Sequence, residues 1–218
     1  MPYAVLLLVL VLTPWFWFIV KVNPLILLVL VIFNFLLLFS LIKLSGRIIN
    51  AIVAALFAIL ILFNLQQGFD KSISAQSIDQ NISQNKRHGY YSASLGKLYT
   101  NKISIYYYTK ISRPFTKLQK NLFSTLDLNL YFFGSSPRER TDVSEFEKYS
   151  FLMMPFFLVG IYAVVKKRML SVKLYFIAAI LASSVINANY LLGPVLFFPL
   201  INTVITLGFL AVIRRKIL

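Results

Sequence analysis

The sequence has no cysteine, one histidine and only seven acidic residues in 218. Without cysteine there are no disulfides and no thiolate metal sites, and the lone His88 cannot build a multi-histidine metal site by itself. Charged residues are scarce, 13% against 59% hydrophobic, which is too little polar surface for a soluble domain of this length. All seven acids (Asp70, Asp79, Asp127, Glu139, Asp142, Glu145 and Glu147) fall between Gln66 and Tyr149. Outside that stretch the only charged side chains are ten Lys and Arg. None of them sits well inside an apolar run, which disfavours an ion- or proton-coupled transporter. A phosphate-binding glycine loop, a nucleophile elbow, a metalloprotease helix and a dinucleotide fingerprint are also missing. The sequence therefore calls for no metal and no cofactor.

Long apolar runs are what the chain does have. A helix crosses the hydrocarbon core with about 20 mainly apolar residues. Six segments approach that, near Tyr3–Val20, Pro24–Ile42, Ile48–Leu65, Ser150–Val165, Leu174–Tyr190 and Pro194–Ile213. Five spans remain an alternative, because only a short turn around Gly193 and Pro194 joins the last two. The expected fold is an all-α, polytopic membrane helix bundle of about six transmembrane helices, with an exoplasmic cap of interfacial amphipathic helices. Residues 1–65 hold three spans, residues 66–149 the cap and residues 150–218 three more spans.

Basic clusters orient the bundle. Lys43 and Arg47 separate spans two and three, Lys166, Lys167, Arg168 and Lys173 separate spans four and five, and Arg214, Arg215 and Lys216 follow span six. Placing all three clusters on the cytoplasmic side gives cytoplasmic termini and puts residues 66–149 outside, with Lys21 the one counterexample. The formal charge of +15 thus reads as topology signals plus a modestly basic outer segment of 12 basic and 7 acidic residues. That suits anionic lipid headgroups, and nucleic acid is not an expected partner. Trp15 and Trp17 fall where an interfacial aromatic belt is expected. Ala51, Ala54, Ala55 and Ala58, and likewise Ala178, Ala179, Ala182 and Ser183, form small-residue faces expected to pack within the bundle. Asn34, Asn50, Asn64, Asn187, Asn189 and Asn202 are expected to hydrogen-bond between helices.

In the outer segment, Gln66–Arg87 is rich in Ser, Gln and Asn and reads as irregular. From Ser92 onward, Leu95, Leu98, Tyr99, Ile103, Tyr106 and Tyr107 recur at helical spacing with Lys97, Lys102 and Lys110 on other faces. A second period, Phe115, Leu118, Leu122 and Leu126, follows Pro114, which is expected to separate the two helices. Basic amphipathic helices of this kind lie in the membrane interface, and the same pattern also serves as a plain cap on a bundle.

An aromatic run, Leu130-Tyr131-Phe132-Phe133, then leads into Gly134-Ser135-Ser136-Pro137-Arg138-Glu139-Arg140. Arg138 and Arg140, beside the amides of the Ser135–Ser136 turn, are candidates to hold a phosphate, because the guanidinium fork matches its oxygens. An Arg–Glu salt-bridge cluster that stabilises the loop is the structural alternative. If a general base acts on an acceptor hydroxyl, the candidate acids are Asp70, Asp127, Asp142 and Glu145.

Two stretches carry a resemblance: Phe151-Leu152-Met153-Met154-Pro155-Phe156-Phe157-Leu158-Val159-Gly160, and Asn189-Tyr190-Leu191-Leu192-Gly193-Pro194-Val195-Leu196-Phe197-Phe198-Pro199-Leu200. They resemble later spans of the GT-C superfamily of membrane glycosyltransferases, in particular the protein O-mannosyltransferase-like family, over about a quarter of the chain. The resemblance implies a polyprenyl-phosphate-linked sugar as ligand. Those enzymes carry acidic catalytic residues in the first outer loop, whereas here that loop is Lys21-Val22-Asn23. A reduced relative without a complete catalytic site is therefore the leading expectation. The alternative is a non-enzymatic interaction or assembly protein that binds another envelope membrane protein. A small transporter with a three-plus-three arrangement of spans comes third.

Overall fold

The computed structural model describes residues 1–43, 47–73, 78–133, 147–166, 169–186, 192 and 194–214. The protein is all-α: among the described residues the only extended pairing is an isolated bridge between Phe69 and Ile186. Twelve α-helices are described: α1 (Pro2–Leu12), α2 (Pro14–Val22), α3 (Pro24–Lys43), α4 (Arg47–Gly68), α5 (Ile78–Leu95), α6 (Lys97–Thr100), α7 (Lys102–Tyr106), α8 (Ser112–Leu126), α9 (Asn129–Phe132), α10 (Met154–Lys166), α11 (Leu170–Ser184) and α12 (Phe197–Arg214).

Among the described residues, two helices are long and apolar enough to cross a membrane, Pro24–Ile42 and Arg47–Gly68. They are the second and third segments expected from the sequence. Asn23 caps α3 by accepting a hydrogen bond from the Ile26 amide at 3.1 Å, and Pro24 follows at the first helical position, where its missing N–H costs nothing. Phe151–Lys166, Leu170–Ser184 and Phe197–Ile213 are shorter apolar helices.

The first segment is not one straight helix. It breaks at Thr13, and α1 and α2 meet at a bend of 70°. Pro14 lacks the N–H that would continue the helical ladder and keeps the preceding residue out of the α region, so Thr13 is extended. The carbonyls freed at the end of α1 are reclaimed locally. Thr13 Oγ1 donates to the Val9 carbonyl at 2.6 Å, the Thr13 amide to Leu10 at 3.2 Å, and Trp17 Nε1 to Val11 at 2.9 Å. A break whose backbone groups are satisfied in this way is tolerated in an apolar setting. Counted as one span, α1 and α2 would make a third crossing.

Helix α12 is the hub, with α10, α1, α3 and α11 packed around it. Nearly all its residues from Phe197 to Ala211 are buried. The closest approach is to α10, where an added Cβ on Gly160 would strike the Val204 carbonyl and one on Gly208 would strike the Phe156 carbonyl. Glycine on both helices is what lets the two backbones touch, and Phe156 stacks on Phe209 beside the contact at 3.7 Å between ring centroids. Tyr149, just ahead of α10, donates to the carbonyl of Phe198. Tyr149 precedes Gly160 as Phe198 precedes Gly208, so α10 and α12 run in the same direction.

Three expectations are corrected here. Ala51, Ala54, Ala55 and Ala58 point outward, and α4 buries Val53, Phe57, Leu60 and Asn64 instead, because Phe57 fills the space against Phe33 and Tyr175. The Ala179–Ala182–Ser183 face of α11 does pack inward. Within the Gln66–Arg87 stretch expected to be irregular, residues 66–68 close α4 and residues 78–87 belong to α5. Pro114 sits in the first turn of α8 instead of separating two helices, and the chain breaks earlier, at Gly96 with φ +53° and at Asn101, which caps α7. Pro114 cannot donate to the carbonyl one turn back, and the turn before it, Tyr107–Ile111, widens to a π turn.

Among the asparagines, Ser40 donates to Asn50 across α3 and α4 at 2.5 Å, and Thr203 lies 3.1 Å from Asn34 across α12 and α3. Asn64 Nδ2 bonds instead to its own helix at Leu60. Asn187 and Asn189 lie outside the described residues.

Candidate functional site

The cap meets the bundle at a buried carboxylate. Asp70 follows the end of α4 and is only 5% exposed. Its amide donates to the Val185 carbonyl at 3.0 Å, beside the Phe69–Ile186 bridge, which ties the chain after α4 to the chain after α11. From α8, Asn121 Nδ2 donates to Asp70 Oδ2 at 3.1 Å and to the Ser184 carbonyl at 3.2 Å, using both amide hydrogens. Asn121 and Thr125 are one helical turn apart and both buried, so α8 docks on α11 through its polar edge.

That docking leaves the apolar stripe of α8 on the outside. Phe115, Phe123 and Leu126 are exposed and Leu118 and Leu122 half-buried, while Lys120 is exposed on another face. Upstream, Tyr90, Tyr91, Leu95, Ile103, Tyr106 and Tyr107 are exposed as well. From Ile78 to Leu126 the sequence has eight basic residues and a single acid, Asp79.

A second junction is aromatic. Trp15, Phe132, Tyr149 and Phe198 are fully buried and Tyr131 nearly so. The Trp15 ring stands edge-on to Tyr149 and Phe198 and tilted to Tyr131, with centroids 5.5–6.0 Å apart, the geometry ring quadrupoles favour. Backbone bonds stitch the same residues: the Trp15 amide to the Lys148 carbonyl at 3.2 Å and the Tyr149 amide to Tyr131 at 2.8 Å. Lys148 Nζ donates to the Leu130 carbonyl at 3.2 Å and lies 5.7 Å from the Trp15 ring centroid. Trp15 is thus the core of the joint between the broken first segment, α9 and the start of α10, and not a member of an interfacial belt. Trp17 is 52% exposed.

Burial pushes the Tyr131 and Tyr149 hydroxyls well above the ordinary tyrosine range, with the Asp127 charge adding at Tyr131. Each spends its proton on a carbonyl, Tyr131 on Thr125 at 2.8 Å and Tyr149 on Phe198 at 3.2 Å. An unfolded tyrosine ionises near pH ~10. A raised folded value therefore contributes stability that is fully present below that pH and is lost as pH rises toward the folded value. The melting temperature is expected to fall above about pH 10, and Tyr131→Phe or Tyr149→Phe should flatten that limb in a pH series of thermal melts.

Of the residues singled out from the sequence, Asp70 and Asp127 are described. Asp70 belongs to the α4–α8–α11 junction. Asp127 is half-buried and accepts from the Asn129 amide at 2.9 Å, opening the turn into α9. The two acids occupy separate positions, one before the cap helices and one after them. Arg138, Arg140, Ser135, Ser136, Asp142 and Glu145 lie outside the described residues. Among the described residues, no group of three His, Cys, Asp or Glu is placed to share a metal ion.

Sequence reading missed Asn121 and Tyr149, and the structural roles of Trp15, Tyr131 and Lys148. The Asn121–Thr125 pair carries a signal: two polar residues at i and i+4 between the apolar and basic faces of a cap helix mark the edge it docks with. Compared with protein families, with curated proteins and with solved structures, the chain matches none.

Proposed function

We infer that this is a multi-pass integral membrane protein of the cell envelope whose basic outer cap holds an anionic lipid, a polyprenyl-phosphate-linked sugar being the leading ligand, without a complete catalytic site of its own. The observation that carries this reading is the disposition of α8. It is fixed to the bundle by its Asn121–Thr125 edge, so that Phe115, Phe123 and Leu126 stay exposed on one side and Lys120 on another. A helix held in that way lies in a bilayer interface, apolar side toward the acyl chains and lysine among the headgroups. Both described candidate acids are engaged in joining elements, which fits a binding role better than a general base.

Six crossings with cytoplasmic termini and an exoplasmic cap remain the topology we favour. The common direction of α10 and α12 suits the fourth and sixth crossings of an up-and-down bundle. Kinship with the GT-C membrane glycosyltransferases is part of this proposal and rests on the two stretches around Pro155 and Pro194. A second reading, an assembly protein for another envelope membrane protein, is favoured by the outward-facing Ala51, Ala54, Ala55 and Ala58 of α4, a face that lets another helix approach closely.

Native mass spectrometry of the gently purified protein separates the two. On the lipid reading, a polyprenyl-phosphate species co-purifies and is lost in the Arg138→Ala/Arg140→Ala double variant. Bulk phospholipid alone, unchanged by those substitutions, would leave the assembly reading standing and remove the first.

A further inference from the structure

Exposed apolar side chains continue from α8 into the segment before it, and a backbone irregularity lines them up. The helical backbone runs without a break from Lys102 to Leu126, through α7, the π turn at Tyr107–Ile111 and α8. Tyr106, Tyr107, Ile111 and Ser112 all keep right-handed helical angles, and the Ser112 amide donates to the Tyr107 carbonyl. Ile103, Tyr107, Ile111 and Phe115, at every fourth position, are all exposed, Ile103 at 81%. In a regular helix residues four apart drift by about 40°, so these four would fan out over about 120°. The π turn takes up one extra residue and cancels about 100° of that drift. The first and last of the four then stand about 20° apart, and α8 continues the line with Leu122 and Leu126.

Helix α7 buries none of its residues in the protein, so its share of this line is open to a partner. Charge indicates which partner. From Lys102 to Leu126 the chain carries Lys102, Lys110, Arg113, Lys117 and Lys120 and no acid. Lys102, Lys110 and Lys120 are exposed off the apolar line. Through Asn121, α8 already fastens this segment to α11, one of the apolar helices of the bundle. An apolar line flanked by lysines, with a tyrosine whose ring is apolar and whose hydroxyl is polar, fits the interface of an anionic leaflet.

We propose that the π turn splices α7 and α8 into a single membrane-docking face. Ile103, Tyr107, Ile111 and Phe115 enter the acyl boundary of an anionic leaflet together, and Lys102, Lys110 and Lys120 lie among its phosphates. This rests on the reading of α8 as an interface helix, and adds to it a second helix and the backbone device that aligns the two.

The test uses the full chain in nanodiscs of phosphatidylcholine and phosphatidylglycerol. Ile103→Cys, Tyr107→Cys, Lys110→Cys, Ile111→Cys and Phe115→Cys each carry a fluorophore, in a chain with no other thiol. Lipids with a nitroxide on the acyl chain quench a probe in the bilayer, and acrylamide quenches one in water. Positions 103, 107, 111 and 115 should be quenched by the lipid and position 110 by acrylamide. Removing Thr109 from the π turn restores a regular helix and turns α7 by about 100° against α8. Position 103 should then lose its lipid quenching while position 115 keeps it. Should that deletion fail to fold, the scan of the full-length chain decides alone. Lipid quenching at 115 but not at 103 and 107 overturns the spliced face and leaves the reading of α8 standing. Its absence at 115 as well overturns both. Shielding of 103 and 107 from both quenchers, the mark of a covering protein, overturns the proposal, as does lipid quenching at 103 that survives the deletion.

Discussion

Gly208→Leu is expected to abolish the folded bundle, and Gly208→Ala to weaken it severely. The first added carbon on Gly208 meets the backbone carbonyl of Phe156, and on the facing helix Gly160 is in the same position against Val204. A backbone carbonyl cannot swing aside as the end of a flexible side chain does, so α10 and α12 must part. Parting them unstacks Phe156 from Phe209 and strains the Tyr149–Phe198 bond at the head of the pair. Overpacked contacts cost about 1–3 kcal/mol where side chains absorb the strain, and here the cost is expected at or above about 3 kcal/mol. Thermal melts in nanodiscs measure it. Gly208→Ala with a wild-type melting temperature would mean that the two helices do not cross at these glycines.

The second large effect is at the cap junction. Asn121→Leu removes both amide hydrogens that bind Asp70 and the Ser184 carbonyl, taking one hydrogen bond from a buried carboxylate and one from a half-buried carbonyl. Hydrogen bonds to charged groups are worth roughly 1.5–3 kcal/mol. We expect α8 to detach, so that limited proteolysis cuts within residues 78–126 much faster than in the wild type. Asp70→Asn should be milder, since a neutral amide still accepts from Asn121. A double-mutant cycle between positions 70 and 121 should return a coupling of order ~1–3 kcal/mol. Unchanged cleavage in Asn121→Leu would show that the cap is held by something else.

These two contacts also mark where sequence reasoning reached and where it stopped. Helix α3 was legible to within one residue and α4 to within three, because Pro24 and Arg47 mark where the two apolar runs begin. Pro14 was visible, yet a run apolar throughout reads as one helix until the carbonyls of Val9, Leu10 and Val11 find other donors. The face α4 turns inward was not legible, since its two sides are about equally apolar and only the partner rings of Phe33 and Tyr175 select Phe57 over the alanines. Asp70 was picked as an acid in the right region. Its partner lies 51 residues away in the chain, and a contact of that kind has no local periodicity to betray it. The Ser135–Arg140 string and the acids Asp142 and Glu145 lie outside the described residues.

The cap resting on the bilayer is the centre of this account, and the absence of cysteine makes it directly measurable. Single cysteines placed at Phe115, Lys120, Phe123 and Leu126 can each carry a nitroxide without competing thiols. Power-saturation electron paramagnetic resonance in anionic nanodiscs then compares collisions with oxygen, which enriches in acyl chains, and with a nickel chelate, which stays in water. Positions 115, 123 and 126 should favour oxygen and position 120 the chelate. Equal exposure of all four to the chelate would contradict the account, because α8 would then stand in water and its outer stripe would face something other than lipid.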